Sequence, residues 1–338
     1  MAFATPSTLL ARAGRWALLL WAGGVVGIAA AQTAAAPPEG KEARQRGINE
    51  WLLRMHDASR LRSYAGTFVV SSPTGLASAR IWHACEGDVQ VERVESLTGA
   101  RRSTFRRNEE VVTLLPERRL ARTEHRESLG MFTDLLKGAG TSIPAFYEAK
   151  RVGEDRVAGF DTDVVQIVPK DNLRFGYRVW SEKKTGLVVK TQTLDVLGAV
   201  LEQAAFSELQ LDAPVHAERL AQMMAVPEGW RVERSEAVRT TPDAEGWSMR
   251  TAVAGFKPLS CYKRPAEGVL QWIFSDGLAS VSLFIEALDR RRHVQEGIFA
   301  SGATHTLTRR VQGSWLTVVG EVPPQTLNQF AQGLEHRK

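Results

Sequence analysis

The chain has 338 residues, of which 43% are hydrophobic and 24% charged. That is the composition of a globular protein long enough for two domains, and it excludes a disordered or fibrous chain. The net charge of +5 is mild for this length, so no overall field selects nucleic acid as a partner.

Arg12 and Arg15 precede an uncharged apolar run over 16–31 that ends in Ala29-Ala30-Ala31. A basic start, an apolar middle and small residues before Gln32 make residues 1–31 a secretory signal peptide. The competing reading is an uncleaved membrane anchor, because the run is nearly long enough to span. Cleavage would leave 41 basic residues against 38 acidic, a net charge of +3. No cysteine precedes Cys85, which rules out a lipid on an N-terminal cysteine. Residues 32–46, with Pro37-Pro38 and mixed charge, read as a flexible leader.

Ile48, Trp51, Leu52, Met55 and Ala58 recur at helical spacing, which predicts an amphipathic helix ending near Ser63. Strand-like stretches follow at 67–71, 79–83, 89–97, 103–107, 111–115 and 119–122. Short loops with Gly, Pro, Asn or Asp separate most of them, so an antiparallel meander is expected. Leu129, Phe132, Leu135 and Leu136 return to helical spacing, and Pro144 sits near the start of a second short helix. Strands resume at 151–157, 163–169, 177–181, 187–194 and 200–211. One long sheet with helices gathered on one side is an α+β design. If it curls around the helices it encloses an apolar hollow, a place for acyl chains. Phe68, Val70, Leu114, Phe132, Phe146, Tyr147 and Trp180 are the candidates to line it; the alternative is that each simply fills the core.

Residues 47–212 therefore read as a large domain, 213–229 as a linker and 230–338 as a smaller domain. The smaller domain has strands expected at 231–234, 268–274, 278–286, 304–310 and 315–321, and a closing helix after Pro323-Pro324. Within it, FSDGLASVSLFIE (274–286) is unusual. Ser275-Asp276-Gly277 is a turn signal, and Val281, Leu283 and Ile285 then alternate with polar residues as in a half-buried strand. Phe284 puts a large aromatic on the face that should be polar. Beside Ser282 and Glu286 it has the makings of a partner-binding anchor with a polar rim, or it packs under its own domain.

Catalytic signatures are missing: there is no H-E-x-x-H, G-x-S-x-G or phosphate-binding G-x-x-x-x-G-K. The seven histidines lack metal-ligand spacing, and His83-x-Cys85 is too little for a metal site. A binding protein without cofactor is expected, not an enzyme. Two cysteines in an exported chain can pair, so a Cys85–Cys261 bridge tying the two halves together is expected, with two separate thiols as the alternative. Arginine clusters at 101–107, 118–122, 290–292 and 309–310 suit anionic lipid headgroups or an acidic protein better than nucleic acid, or they simply line exposed strands.

Several stretches together resemble the RseB/MucB family of periplasmic negative regulators of the sigma-E envelope stress response. They are YAGTFVV (64–70), RVAG (156–159), YRVW (177–180), TGL (185–187), LE (201–202), SDGLASVSLFIE (275–286) and VGEVP (319–323). Each is weak alone; their order and the long SDGLASVSLFIE block carry the likeness. The resemblance implies a large N-terminal domain like the lipoprotein carriers LolA and LolB, a half-closed antiparallel β-barrel with helices in its mouth, and a smaller C-terminal α+β domain. It implies a soluble periplasmic protein that binds the periplasmic segment of an RseA/MucA-like anti-sigma factor and shields it from proteolysis. Release on binding lipid or lipopolysaccharide fragments is implied as well. A lipid or lipoprotein carrier without a signalling partner is the alternative, and a general periplasmic chaperone a third. Oligomeric state stays open, a homo-oligomer included.

Overall fold

The computed structural model describes residues 41–87, 89–125, 143–289, 291, 293 and 295–337, with side chains from Glu50 onward. The expected signal peptide, the leader up to residue 40, and the helical spacing around Phe132 lie outside the described residues.

Helix α1 (Lys41–Leu61) begins inside the stretch expected as a leader, where KEARQR is a run of strong helix formers. Leu52, Met55, Ala58 and Ser59 are buried while Leu53, Arg54 and Asp57 are exposed, the spacing of a one-sided helix. The strands that follow are β1 (Tyr64–Ser72), β2 (Gly75–Glu86), β3 (Val89–Ser96), β4 (Ser103–Arg107), β5 (Glu110–Leu115) and β6 (Leu120–His125). A single turn, α2 (Ile143–Phe146), leads into β7 (Tyr147–Val157), β8 (Phe160–Pro169), β9 (Gly176–Glu182), β10 (Val188–Leu194) and β11 (Val200–Leu211). Then come α3 (Ala217–Gln222) and β12 (Arg231–Ser235).

Together these strands form one 12-stranded sheet in the order β12-β6-β5-β4-β3-β2-β1-β11-β10-β9-β8-β7. All its pairs are antiparallel except the outermost, where β12 joins β6 in parallel with Arg231 opposite Leu120. The sheet curls until β7 touches β11, with three strands between them. Two expectations change here. The strand at 231–234 belongs to the large sheet and not to the small one, because alternation marks a strand but not its neighbour. The stretch read as a linker packs on the large sheet: Ala217 and Leu220 meet Ala84 and Val91, and Met224 meets Phe105 and Val112.

The rest of the chain supplies β13 (Val238–Arg239), β14 (Trp247–Met249), β15 (Lys257–Arg264), β16 (Val269–Ser275), β17 (Ser280–Ala287), β18 (Gly297–Ser301), β19 (Thr304–Val311), β20 (Ser314–Gly320) and β21 (Leu334–His336). Seven of them form an antiparallel sheet, β13-β15-β16-β17-β20-β19-β18, while β14 pairs with β21. Helix α4 (Pro324–Gly333) closes one face, burying Leu327, Phe330 and Ala331 against Val281, Leu283, Ile285, Leu316 and Val318. Burying each large apolar side chain contributes ~1.5–3 kcal/mol. Pro323 and Pro324 set the start of the helix, where a missing N–H costs nothing. Both sheets belong to one compact unit. No helix among the described residues is long and apolar enough to cross a membrane.

Candidate functional site

The β16–β17 turn is held by bonds among its own residues. The Asp276 Oδ1 accepts from the N–H groups of Leu278 (2.9 Å) and Ala279 (2.8 Å). The Ser275 hydroxyl accepts from Gly277 N–H (3.0 Å) and donates to the carbonyl of Ala279 (2.9 Å). Gly277 sits at φ 102°, which a side chain would resist. This leaves Asp276 Oδ2 aimed outward, and the large domain meets it.

Two groups of the large domain converge on that oxygen: Arg174 Nε at 2.6 Å and the Tyr147 hydroxyl at 2.8 Å. The Arg174 side chain, on the β8–β9 loop, is wholly buried, as is that of Asp276. Its remaining donors reach the Asp171 carboxylate and the carbonyl of Ala254, and its guanidinium lies against the rings of Phe146 and Phe256. Gly255, at φ 83°, has no room for a Cβ because Arg174 and Phe146 fill the space. The same loop is gripped elsewhere: Thr326 donates to the carbonyl of Leu173 (2.8 Å) and Gln325 to that of Asn172. In return Leu278 packs into the large-domain cluster of Leu52, Met55, Ile143 and Tyr147. Burial above all, then the charges of Tyr177 and Asp276, pushes the Tyr147 hydroxyl well above its usual range, so it stays a donor. A buried pair with every polar atom used fixes how the two domains meet.

Strand β17 continues from this joint onto open sheet. Val281, Leu283 and Ile285 face the α4 core, as the alternation predicts, and Ser282, Phe284 and Glu286 share the other face. Phe284 is half-buried, between Gln271 of β16 and Thr317 of β20. Glu286 pairs with His293 (3.4 Å), whose ring stacks on Trp315 at 4.8 Å. The chain after β17 thus crosses one end of this face and leaves Phe284 beside it. α4 packs on the opposite face.

The residues expected to line an acyl hollow do not come together. Phe68 and Trp180 join one apolar cluster, Phe146 and Tyr147 a second, and Leu114 a third. Val70 is half-buried outside all three, and Phe132 lies outside the described residues. Trp180 donates to Asp155 (2.9 Å), and Tyr147 serves the joint. A groove of about 620 Å³ runs along the exposed side of α1 past Leu53, Leu61 and Arg62; none of the six described candidates lines it. The expected Cys85–Cys261 bridge is also corrected: both are thiols. Cys261 is turned into the α4 core opposite Trp272, while Cys85 lies on β2 of the other sheet with its thiol toward the carbonyl of Gly87. Burial, with the charge of Glu245, pushes the Cys261 thiol up to about 11.

Both halves of this architecture have known counterparts. Residues 47–224 match the MucB/RseB N-terminal domain and residues 241–335 the MucB/RseB C-terminal domain. The chain belongs to the MucB/RseB family. It is 29% identical over 326 residues to the sigma factor AlgU regulatory protein MucB of Pseudomonas aeruginosa, covering 93% of this chain and 95% of that protein. It is 22% identical over 296 residues to the sigma-E factor regulatory protein RseB of Escherichia coli K12, covering 84% and 89%. Among solved structures, the Pseudomonas aeruginosa MucA/MucB complex is similar at a TM-score of 0.66 and 26% identity, over 86% of this chain and 99% of that one. A crystal structure of MucB with MucA(peri) matches at a TM-score of 0.64 and 27% identity, over 86% and 98%.

Sequence reasoning found the turn and the strand of the SDGLASVSLFIE block but missed their partners. Arg174, Gly255 and Thr326 carry no signal of their own in a single sequence. An arginine in a turn-rich loop reads as solvated until its counter-charge is known.

Proposed function

We propose that this chain is an exported regulator that binds the periplasmic segment of an anti-sigma factor, and not an enzyme. The observation that carries this is the match of both domains to a family whose relatives are named sigma factor regulators and of which two similar solved structures are complexes with MucA. Binding restrains the sigma-E-type stress response by covering the segment against regulated proteolysis. Residues 1–31 act as the export signal, and the mature chain works in the periplasm.

The binding surface in this reading includes the outer face of β17, with Phe284 as anchor and Ser282 and Glu286 at its rim. A half-buried aromatic beside polar groups, on the face opposite α4, suits a partner better than open water. Lipid or lipopolysaccharide fragments act as the releasing ligand, in keeping with the family resemblance. Linkage then requires that lipid and anti-sigma segment weaken each other by the same factor.

The test is cleavage of the purified periplasmic segment by its first protease, with and without the mature chain, then with lipopolysaccharide fragments added. Slowed cleavage that the fragments restore is the expected result. Cleavage indifferent to the chain, with acyl ligand still taken up, would replace this reading with that of a carrier.

A further inference from the structure

Four strands end the two large sheets: β12 and β7 in the first, β13 and β18 in the second. An edge strand presents unpaired N–H and C=O groups, and proteins blunt such edges with charge, bulges, proline or shortness. Three of these four are blunted. The outward stretch of β7 carries Lys150, Arg151, Glu154, Asp155 and Arg156, and its register slips between Arg151 and Gly153. β12 is five residues long with three charges, and β13 has two residues.

β18 differs from all of them. Its sequence GIFAS holds no charge and no proline, and it pairs with β19 without a slip. Ile298 is 44% exposed and Phe299 46%. The two point to opposite faces, Ile298 beside Leu307 and Phe299 beside Thr306. From Phe299 the outer face continues through Thr306, Val319 and Ser282 to Ile273, with Phe284 one step along. The unguarded edge is therefore continuous with the Phe284 face.

We infer that β18 is a docking edge on which an extended segment of the anti-sigma factor adds as an eighth strand of the second sheet. Main-chain bonds along β18 hold the segment, and alternate side chains lie beside Phe299 and Ile298. Arg309 follows Thr308, the partner of Gly297, and makes no ion pair among the described residues, while Arg310 is held by Glu296 (3.5 Å), so an acidic residue of the segment suits Arg309. A second copy of this chain is the poorer occupant. Five residues span ~17 Å, and two such edges fall short of the roughly 1,000 Å² that a specific dimer buries. The far end of the strand turns at Gly302, where Glu202 and Ser72 of the large sheet already stand.

This inference rests on the binding reading above, and one experiment separates the two. Amide hydrogen exchange of the full mature chain is followed with and without the purified periplasmic segment of the anti-sigma factor. In parallel, Phe299→Lys is measured for segment affinity and for its unfolding midpoint. The expected result is that amides over 298–301 exchange at least about tenfold more slowly with the segment bound. Phe299→Lys should weaken binding by about tenfold or more with the midpoint little changed. Tight binding with β18 exchange unchanged would overturn the docking edge and leave the binding reading standing. No binding by the wild-type chain would remove both. Protection of β18 that grows with protein concentration, without any segment, would assign the edge to a second copy and also overturn the proposal. The exchange measurement needs no variant, so a Phe299→Lys chain that fails to fold would not shelter the idea.

Discussion

The two ends of the SDGLASVSLFIE block behave in opposite ways. At its start, Asp276 is wholly buried and every oxygen lone-pair direction in use meets a donor from Arg174, Tyr147, Leu278 or Ala279. A few residues on, Phe284 stands half-buried on a face that α4 does not cover. The contrast separates two reasons for an unusual sequence. The turn is specified by what it holds inside the molecule, whereas the aromatic lies on the face opposite the α4 core.

The largest effect is expected at the joint. Asp276→Ala leaves Arg174 buried against aromatic rings with only Asp171 for counter-charge, and a loss of about 3–5 kcal/mol is expected in chemical unfolding. Arg174→Ala should cost a similar amount, and the double variant much less than the sum, since the two share one interaction. Losses that simply add would mean the pair is not coupled.

Along β17 the effect should then alternate. Leu283→Ala opens the α4 core and should cost about 2–5 kcal/mol. Phe284→Ala, on the other face, should cost roughly 1 kcal/mol, near the average for a point change. Equal losses at the two positions would place Phe284 in a second core and sink the distinction drawn here.

The smallest expected effect is a pH dependence at the same domain boundary. Burial first, and then the charge of Glu202, raises the Glu321 carboxyl above its ordinary value of 4.5. The folded state therefore holds this proton to higher pH than the unfolded chain. The stability it contributes is complete below pH 4.5 and is lost as pH rises from there through the raised value. Glu321→Gln should raise the unfolding midpoint at neutral pH, with the gain shrinking to nothing below pH 4.5. A gain of the same size at both pH values would show that packing, not ionisation, is responsible.

Much of the fold was legible because its signals are local. Alternation located most strands of the large sheet, and the spacing of Leu52, Met55 and Ala58 oriented α1 correctly. β15 and β18 were not anticipated: Pro258 and a bulge interrupt the first, and the second alternates no polar residue with its Ile298-Phe299-Ala300 run. Their pairing depends on neighbours remote in sequence. The site was less legible for the same reason. The SDG turn could be read from three residues, but its partner Arg174 lies 102 positions away. The seven residues expected to line an apolar hollow come from both strand and helix stretches, and bulges such as that between Thr67 and Phe68 redirect side chains in ways composition cannot reveal. The Cys85–Cys261 bridge failed because pairing needs proximity, and each thiol belongs to a different sheet.

In the function proposed above, the outer face of the second sheet receives the anti-sigma segment while the Asp276 joint serves the fold. Its most direct test is the equilibrium affinity of the mature chain for that segment, compared between wild type and Phe284→Lys at matched unfolding midpoints. A loss of about tenfold or more, with the fold intact, is the predicted result. An affinity that does not change would contradict it.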